Sequence, residues 1–175
     1  MPYAASFIDW VHWAALFVLT AALLAAALTD AATYLIPNRY SAAIIVAFAA
    51  FAIGQPVLFA LKGLGAGLLL LALGALLFER RMLGGGDVKL LAAAGLWAGF
   101  DLMALLIFTS AVAGGLLALA QLSPLGRLMP ARPGGGPVGT DFRSRLRQPM
   151  PFGVAVALGG VCIAISRLHL LTSGA

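Results

Sequence analysis

The chain has 175 residues, of which 62% are hydrophobic and only 10% charged, with a formal net charge of +5 and a mean hydropathy of +1.04. A soluble domain averages about 25% charged residues, so this composition excludes an ordinary soluble fold and reads as one integral membrane domain over residues 1–175. The basic residues fall in short segments between apolar runs, which argues against nucleic acid as a partner, and the single cysteine, Cys162, excludes an internal disulfide and a cysteine-cluster zinc site.

Six apolar segments follow one another, each measured against the roughly 20 residues that cross a hydrocarbon core. The first runs from Trp10 to Thr29. No Lys or Arg precedes it, so it lacks the basic start of a cleaved signal peptide and reads as a retained helix. Tyr3, Trp10, His12 and Trp13 at its start read as an interfacial belt. The second segment runs from Asn38 to Gly54, after the breaker Pro37. The third runs from Pro56 to Phe78, with Pro56 suited to a first turn. Gly63, Gly67 and Gly74 along it read as a close-packing face. The fourth, Asp87 to Phe100, is short. The fifth runs from Leu102 to Leu122, with Asp101 as a candidate N-cap. The sixth runs from Pro151 to Ser166. Between the last two lies a stretch rich in Pro, Gly and Arg, residues 123–149, which reads as a mobile basic cytoplasmic loop that meets anionic headgroups. The predicted fold is all-α: a polytopic bundle of about six transmembrane helices.

Charge sets the orientation. Arg39, Arg80, Arg81, Lys89, Arg127, Arg132, Arg143, Arg145 and Arg147 fall in segments on one side, and Lys62 and Arg167 on the other. That asymmetry predicts the first set in the cytoplasm and both termini outside.

Capping or solvation accounts for Asp9, Asp101, Asp141 and Glu79, the last beside Arg80 and Arg81. Asp30 and Asp87 are different. They come from distant parts of the sequence, yet the topology brings both to the cytoplasmic edge. A carboxylate there is costly unless paired or wetted. Two carboxyls in one site share a proton, and the pair then contains a base and an acid. Such a pair can activate water and protonate a leaving amine. Gly84, Gly85 and Gly86, before Asp87, are expected to provide unusual backbone angles and room for a substrate chain.

"GGGDVKLL" at Gly84–Leu91 contains the GxGD pattern of membrane-embedded aspartic proteases and resembles the type IV prepilin peptidase family. "DAATYLIPN" at Asp30–Asn38 and "MPFGVAVALGG" at Met150–Gly160 resemble further motifs of that family, in the same order. The resemblance implies an aspartic endopeptidase, needing no cofactor, at the inner membrane. Its substrate would be a pilin-like precursor, cut at the cytoplasmic face to release a short basic leader. It makes Asp30 and Asp87 the catalytic pair. It also makes Gly84, Gly86, Lys89, Pro37, Asn38, Pro151, Phe152 and Gly153 candidates for shaping the site, with no metal ligand. Longer members carry paired Cys-x-x-Cys motifs and also N-methylate the product. This chain resembles the short, peptidase-only form of tight-adherence pilus systems, with archaeal preflagellin peptidases as neighbours. Two other readings use the same carboxylates: a small proton-coupled transporter, and a noncatalytic assembly subunit.

Overall fold

The computed structural model describes residues 7–123 and 150–173. Beyond Ser123, the basic stretch read as a loop lies outside the described residues, as does Tyr3. Five helices follow in order: α1 (Phe7–Thr33), α2 (Asn38–Ala52), α3 (Val57–Glu79), α4 (Gly85–Leu122) and α5 (Phe152–Ser173). Four of them, α1, α3, α4 and α5, are long and apolar enough to cross a membrane, whereas α2 has 15 residues. Four candidate spans therefore stand where six segments were expected.

Half of the difference is the short α2, and half lies in α4, which joins two expected segments. With 38 residues it would measure about 57 Å if straight, nearly twice the roughly 30 Å of a hydrocarbon core. It is not straight. Gly99 has φ 59° and ψ −172°, inside what is otherwise helix. Glycine tolerates this left-handed value because it has no Cβ.

Contacts show that the chain reverses there. Along α3, Gly63 lies against Leu96 and Gly74 against Val88, so residues 85–98 run antiparallel to α3. Along α5, Gly153 lies beside Asp30, Gly159 against Leu106 and Ser110, and Arg167 reaches Trp97 and Ala98. Gly114 meets Phe152, at the start of α5. Residues 100–122 therefore run antiparallel to α5, back towards the end where α4 began. Six helical segments alternate in direction. The sequence places the fourth and fifth segments correctly and misplaces the break, which falls at Gly99 rather than at an Asp101 cap.

Asp101 instead accepts an ion pair from Lys62 of α3, Nζ to Oδ1 at 2.9 Å. Arg167 is not a loop residue. The last helix extends to Ser173, and Arg167 lies buried within it. His12 is also buried, with its Nε2 2.9 Å from the Ile53 carbonyl oxygen and its ring against Phe51, whereas Trp10 and Trp13 are exposed as a belt requires. Pro56 stands one residue before α3, at its N-cap.

The core is aliphatic and aromatic. Trp97 is fully buried among Phe48 and Phe51, and its indole N–H donates to the Ile44 carbonyl at 3.1 Å. Small residues set the α3–α4 distance. A Cβ on Gly67 would stand 2.8 Å from Leu96, and one on Gly95 2.7 Å from Leu70. That is the close packing membrane helices use in place of a hydrophobic drive. Many large apolar side chains point outward along the same helices, among them Phe17, Leu28, Leu68, Phe108 and Leu119.

Candidate active site

At one end of the bundle, the α1–α2 turn, the α3–α4 turn and the start of α5 surround a cavity of about 1180 Å³. The last turn of α1 supplies Asp30, and the α1–α2 turn supplies Tyr34, Leu35 and Ile36. The end of α3, the α3–α4 turn and the start of α4 supply Leu77 to Glu79 and Arg81 to Asp87, and Met150 and Phe152 close the wall at the start of α5. Asp30 and Asp87, 57 positions apart in sequence, line the same space.

Asp30 lies inside α1, a turn before its end at Thr33, so the helix outlasts the predicted boundary. It is 4% exposed. The backbone N–H groups of Gly153 and Val154, in the first turn of α5, donate to its carboxyl. The first N–H groups of a helix have no intrahelical partner and carry partial positive charge, so α5 presents a ready acceptor site. Gly153 is fitted to the arrangement, since a Cβ there would lie 2.8 Å from Asp30 Oδ2 and collide with Ile36.

Asp87 is the third residue of α4, not its cap. Gly84 holds the N-cap position, and its N–H donates to Asp87 Oδ2 at 3.2 Å. This is the reciprocal half of a capping box. Each carboxyl retains one buried oxygen, Asp30 Oδ2 and Asp87 Oδ1, with no hydrogen-bond partner among the described residues. Leaving such atoms unpaired is expensive. Both residues line the cavity, so two unpaired carboxyl oxygens stand beside one space.

The glycines do not supply the unusual backbone angles expected of them. Gly84 has φ −75°, and neither Gly85 nor Gly86 has a positive φ. The left-handed residues are Tyr34 and Arg81, at φ 56° and 58°, which end α1 and α3 and also line the cavity. What Gly86 supplies is space: a Cβ there would stand 3.0 Å from the Ile36 Cβ.

Gly84, Gly86 and Phe152 line the cavity. Pro37, Asn38, Lys89, Pro151 and Gly153 stand behind its wall. Pro37 is the N-cap of α2, and Pro151 accepts the Val154 N–H at 3.3 Å. Lys89 points along the outside, and its Nζ donates to Asn38 Oδ1 at 3.0 Å. Glu79, read from sequence as the partner of Arg80 or Arg81, makes no ion pair among the described residues and lines the cavity.

Residues missed from sequence include Tyr34 and Ile36. Tyr34 follows Asp30 by four positions, one helical turn, and that spacing was the available signal. Burial, and then the charge of Asp30, pushes the Tyr34 phenol above its ordinary value. It stands at the cavity as a neutral donor.

A family model for type IV leader peptidases matches residues 17–119. The chain belongs to the type IV leader peptidase family. The match includes both aspartates and the whole α3–α4 turn, and ends before Pro151, Phe152 and Gly153. No curated protein and no solved structure matches the chain. Within this leader peptidase family member, all three motifs that carry the resemblance contribute residues to the wall of a single cavity.

Proposed function

We propose that the protein is a membrane-embedded aspartic endopeptidase that removes the short basic leader from pilin-like precursors at the cytoplasmic face of the inner membrane. One observation carries the reading: Asp30 and Asp87 line one cavity, and each keeps a buried oxygen free of protein partners. A pair that shares one proton has a base and an acid ready. The ionised carboxyl takes a proton from water, and the hydroxide adds to the scissile carbonyl carbon. The protonated carboxyl hydrogen-bonds the developing oxyanion. As the tetrahedral intermediate collapses, the C–N bond breaks and the leaving amine takes a proton from the dyad.

Six spans with both termini outside fit the alternation of six segments, if α2 and each arm of α4 cross with help from turns and headgroups. The charges fit this orientation. Arg39, Arg80, Arg81 and Lys89 flank the end that carries the aspartates, and Lys62 and Arg167 stand at the other. The positive-inside rule then turns the cavity towards the cytoplasm. A relay transporter would favour carboxylates near mid-membrane, whereas these stand at a helix end and a helix start. The absence of a second cysteine favours cleavage without N-methylation, since the Cys tetrad of longer relatives cannot form.

Co-expression with a candidate prepilin, followed by N-terminal sequencing of the product, tests the reading. A mature N-terminus that depends on this chain supports it. An uncut precursor, with enzyme and substrate both present in the membrane, refutes it for that substrate class.

A further inference from the structure

Ile36 occupies an unusual position between the two aspartates. Its Cβ and carbonyl oxygen lie against Gly86, where an added Cβ would meet them at 3.0 and 3.3 Å. Its Cδ1 lies against Gly153, on the opposite wall. Gly86 immediately precedes Asp87, and the Gly153 N–H binds Asp30. One side chain thus packs against both backbones that hold the carboxyls, at two glycines where an added Cβ would crowd it, mildly at Gly86 and severely at Gly153.

The turn around Ile36 is itself constrained. Tyr34 ends α1 in a left-handed conformation, and its N–H donates to the Asp30 carbonyl at 2.8 Å. Pro37 bars its predecessor from helical backbone, which holds Ile36 extended between the helices. Asn38, the next residue, is tied to the first turns of α4 by Lys89 at 3.0 Å. The turn is therefore fixed to α1 at one end and to α4 at the other, with Ile36 between.

We propose that the turn from Tyr34 to Asn38 is a spacer that sets the gap between Asp30 and Asp87, with Ile36 as its wedge and the Lys89–Asn38 bond as its tie. The proposal rests on the dyad reading above and goes beyond it by giving Ile36, Asn38 and Lys89 positioning roles. A gap set this way matters because misplacement of a reacting group by about 1 Å can cost on the order of a hundredfold in rate. It also gives Lys89 a role through geometry rather than through its charge.

Two measurements test this. The first is steady-state cleavage of a prepilin peptide by Ile36→Val, Ile36→Ala, Asn38→Ala, Lys89→Ala and the Asn38→Ala/Lys89→Ala double variant. A spacer predicts that kcat falls at least tenfold in Ile36→Ala with KM little changed, and that Ile36→Val retains most of it. Asn38→Ala and Lys89→Ala should each lose about threefold, and the double variant should lose no more than either. A rise in KM at constant kcat would make Ile36 a substrate contact and overturn the proposal, as would unchanged kinetics. Additive losses, or a loss in Lys89→Ala that Asn38→Ala does not share, would remove the tie.

The second measurement needs no substrate. In a Cys162→Ser background, Asp30→Cys and Asp87→Cys are joined by bifunctional thiol reagents of graded length. The preferred length should change when Ile36→Ala is added, and an unchanged preference refutes the spacer. Because it reads distance alone, it separates failure of the spacer from failure of the peptidase reading. Absence of cleavage by the wild-type chain would sink only the latter.

Discussion

Arg167 donates from Nε to the carbonyl oxygen of Trp97, 70 positions earlier in the chain, at 2.9 Å, and from Nη2 to that of Ala98 at 3.0 Å. These are the carbonyls left open where the helix breaks at Gly99. The guanidinium also lies over the Phe59 ring, 4.9 Å from its centroid. One buried cation thus closes the end of the first arm of α4 and allows the chain to reverse inside apolar surroundings.

Arg167→Leu should therefore destabilise the fold by about 2–4 kcal/mol, since it leaves two buried acceptors unpaired. Arg167→Lys should recover part of that, because an ammonium lacks the planar fork that reaches two carbonyls. Thermal unfolding in detergent measures the loss. Cleavage per folded molecule should stay near that of the unmodified chain, because Arg167 stands at the end of the bundle away from the aspartates. Equal stability of Arg167→Leu would show that the carbonyls find other donors.

Asp30→Asn and Asp87→Asn should each abolish leader cleavage with little change in abundance, because each exchanges an acid for a neutral group of the same size. Asp101→Asn is the matched control. It removes the partner of Lys62 at the far end, where both groups are well exposed, and exposed pairs contribute little. Immunoblots of a co-expressed prepilin, normalised to enzyme level, read all three. Cleavage by either dyad variant at the unmodified rate would remove it from the chemistry.

Gly153→Ala should cost at least a hundredfold in activity and about 1–3 kcal/mol in stability, as added volume in a packed site does. The new methyl would fall 2.8 Å from Asp30 Oδ2 and against Ile36. Gly86→Ala is milder, with contacts at 3.0 Å and beyond, and Gly86→Val more severe. Gly115, which has nothing within 4 Å of an added Cβ, is the neutral comparison. Activity in the order Gly115→Ala, Gly86→Ala, Gly153→Ala, from high to low, is the expected result of rate assays on purified protein.

Much of this site could be read from the residues because its chemistry is local in sequence. The "GGGD" and "DAATYLIPN" stretches each carry a carboxylate next to a chain reversal, and charge counting places both at one end. What could not be read is what depends on packing across the bundle. Arg167 has the sequence surroundings of a loop cation, and only α4, lying beside it with open carbonyls, makes it a cap. Gly84–Gly86 suggest backbone freedom, yet the left-handed positions fell to Tyr34 and Arg81. The role of Gly86 is visible only once Ile36 stands against it. His12 looks like a belt residue until the Ile53 carbonyl is seen beneath it. The break at Gly99 was hidden because Asp101, two residues on, is a better cap by type.

Orientation can be checked with single cysteines in a Cys162→Ser background. Gly63, next to Lys62 in α3, is buried against Phe48 and Leu96 and would not report. Gln55, in the α2–α3 turn, and Met82, 69% exposed in the α3–α4 turn, are suitable instead. An impermeant thiol reagent outside intact cells should modify Gln55→Cys, and should reach Met82→Cys only after permeabilisation. The reverse pattern would turn the aspartates away from the cytoplasm, where a leader would be presented.

Cleavage should proceed without a metal and yield an unmethylated product. Among the described residues no three His, Cys, Asp or Glu side chains gather in one place. The histidines stand apart from the dyad: His12 contacts Ile53 at the far end of the bundle, and His169 lies beyond Arg167 in α5. A carboxyl pair sharing a proton can activate water by itself. With purified protein in detergent, a prepilin peptide, chelator and S-adenosylmethionine, mass spectrometry should show the unmodified mature N-terminus at an unchanged rate. Loss of activity restored by a divalent ion would make Asp30 and Asp87 metal ligands instead of an acid–base pair. In that case Asp30→Asn and Asp87→Asn should also lower the affinity for the ion, which titration of the metal against each variant would measure directly.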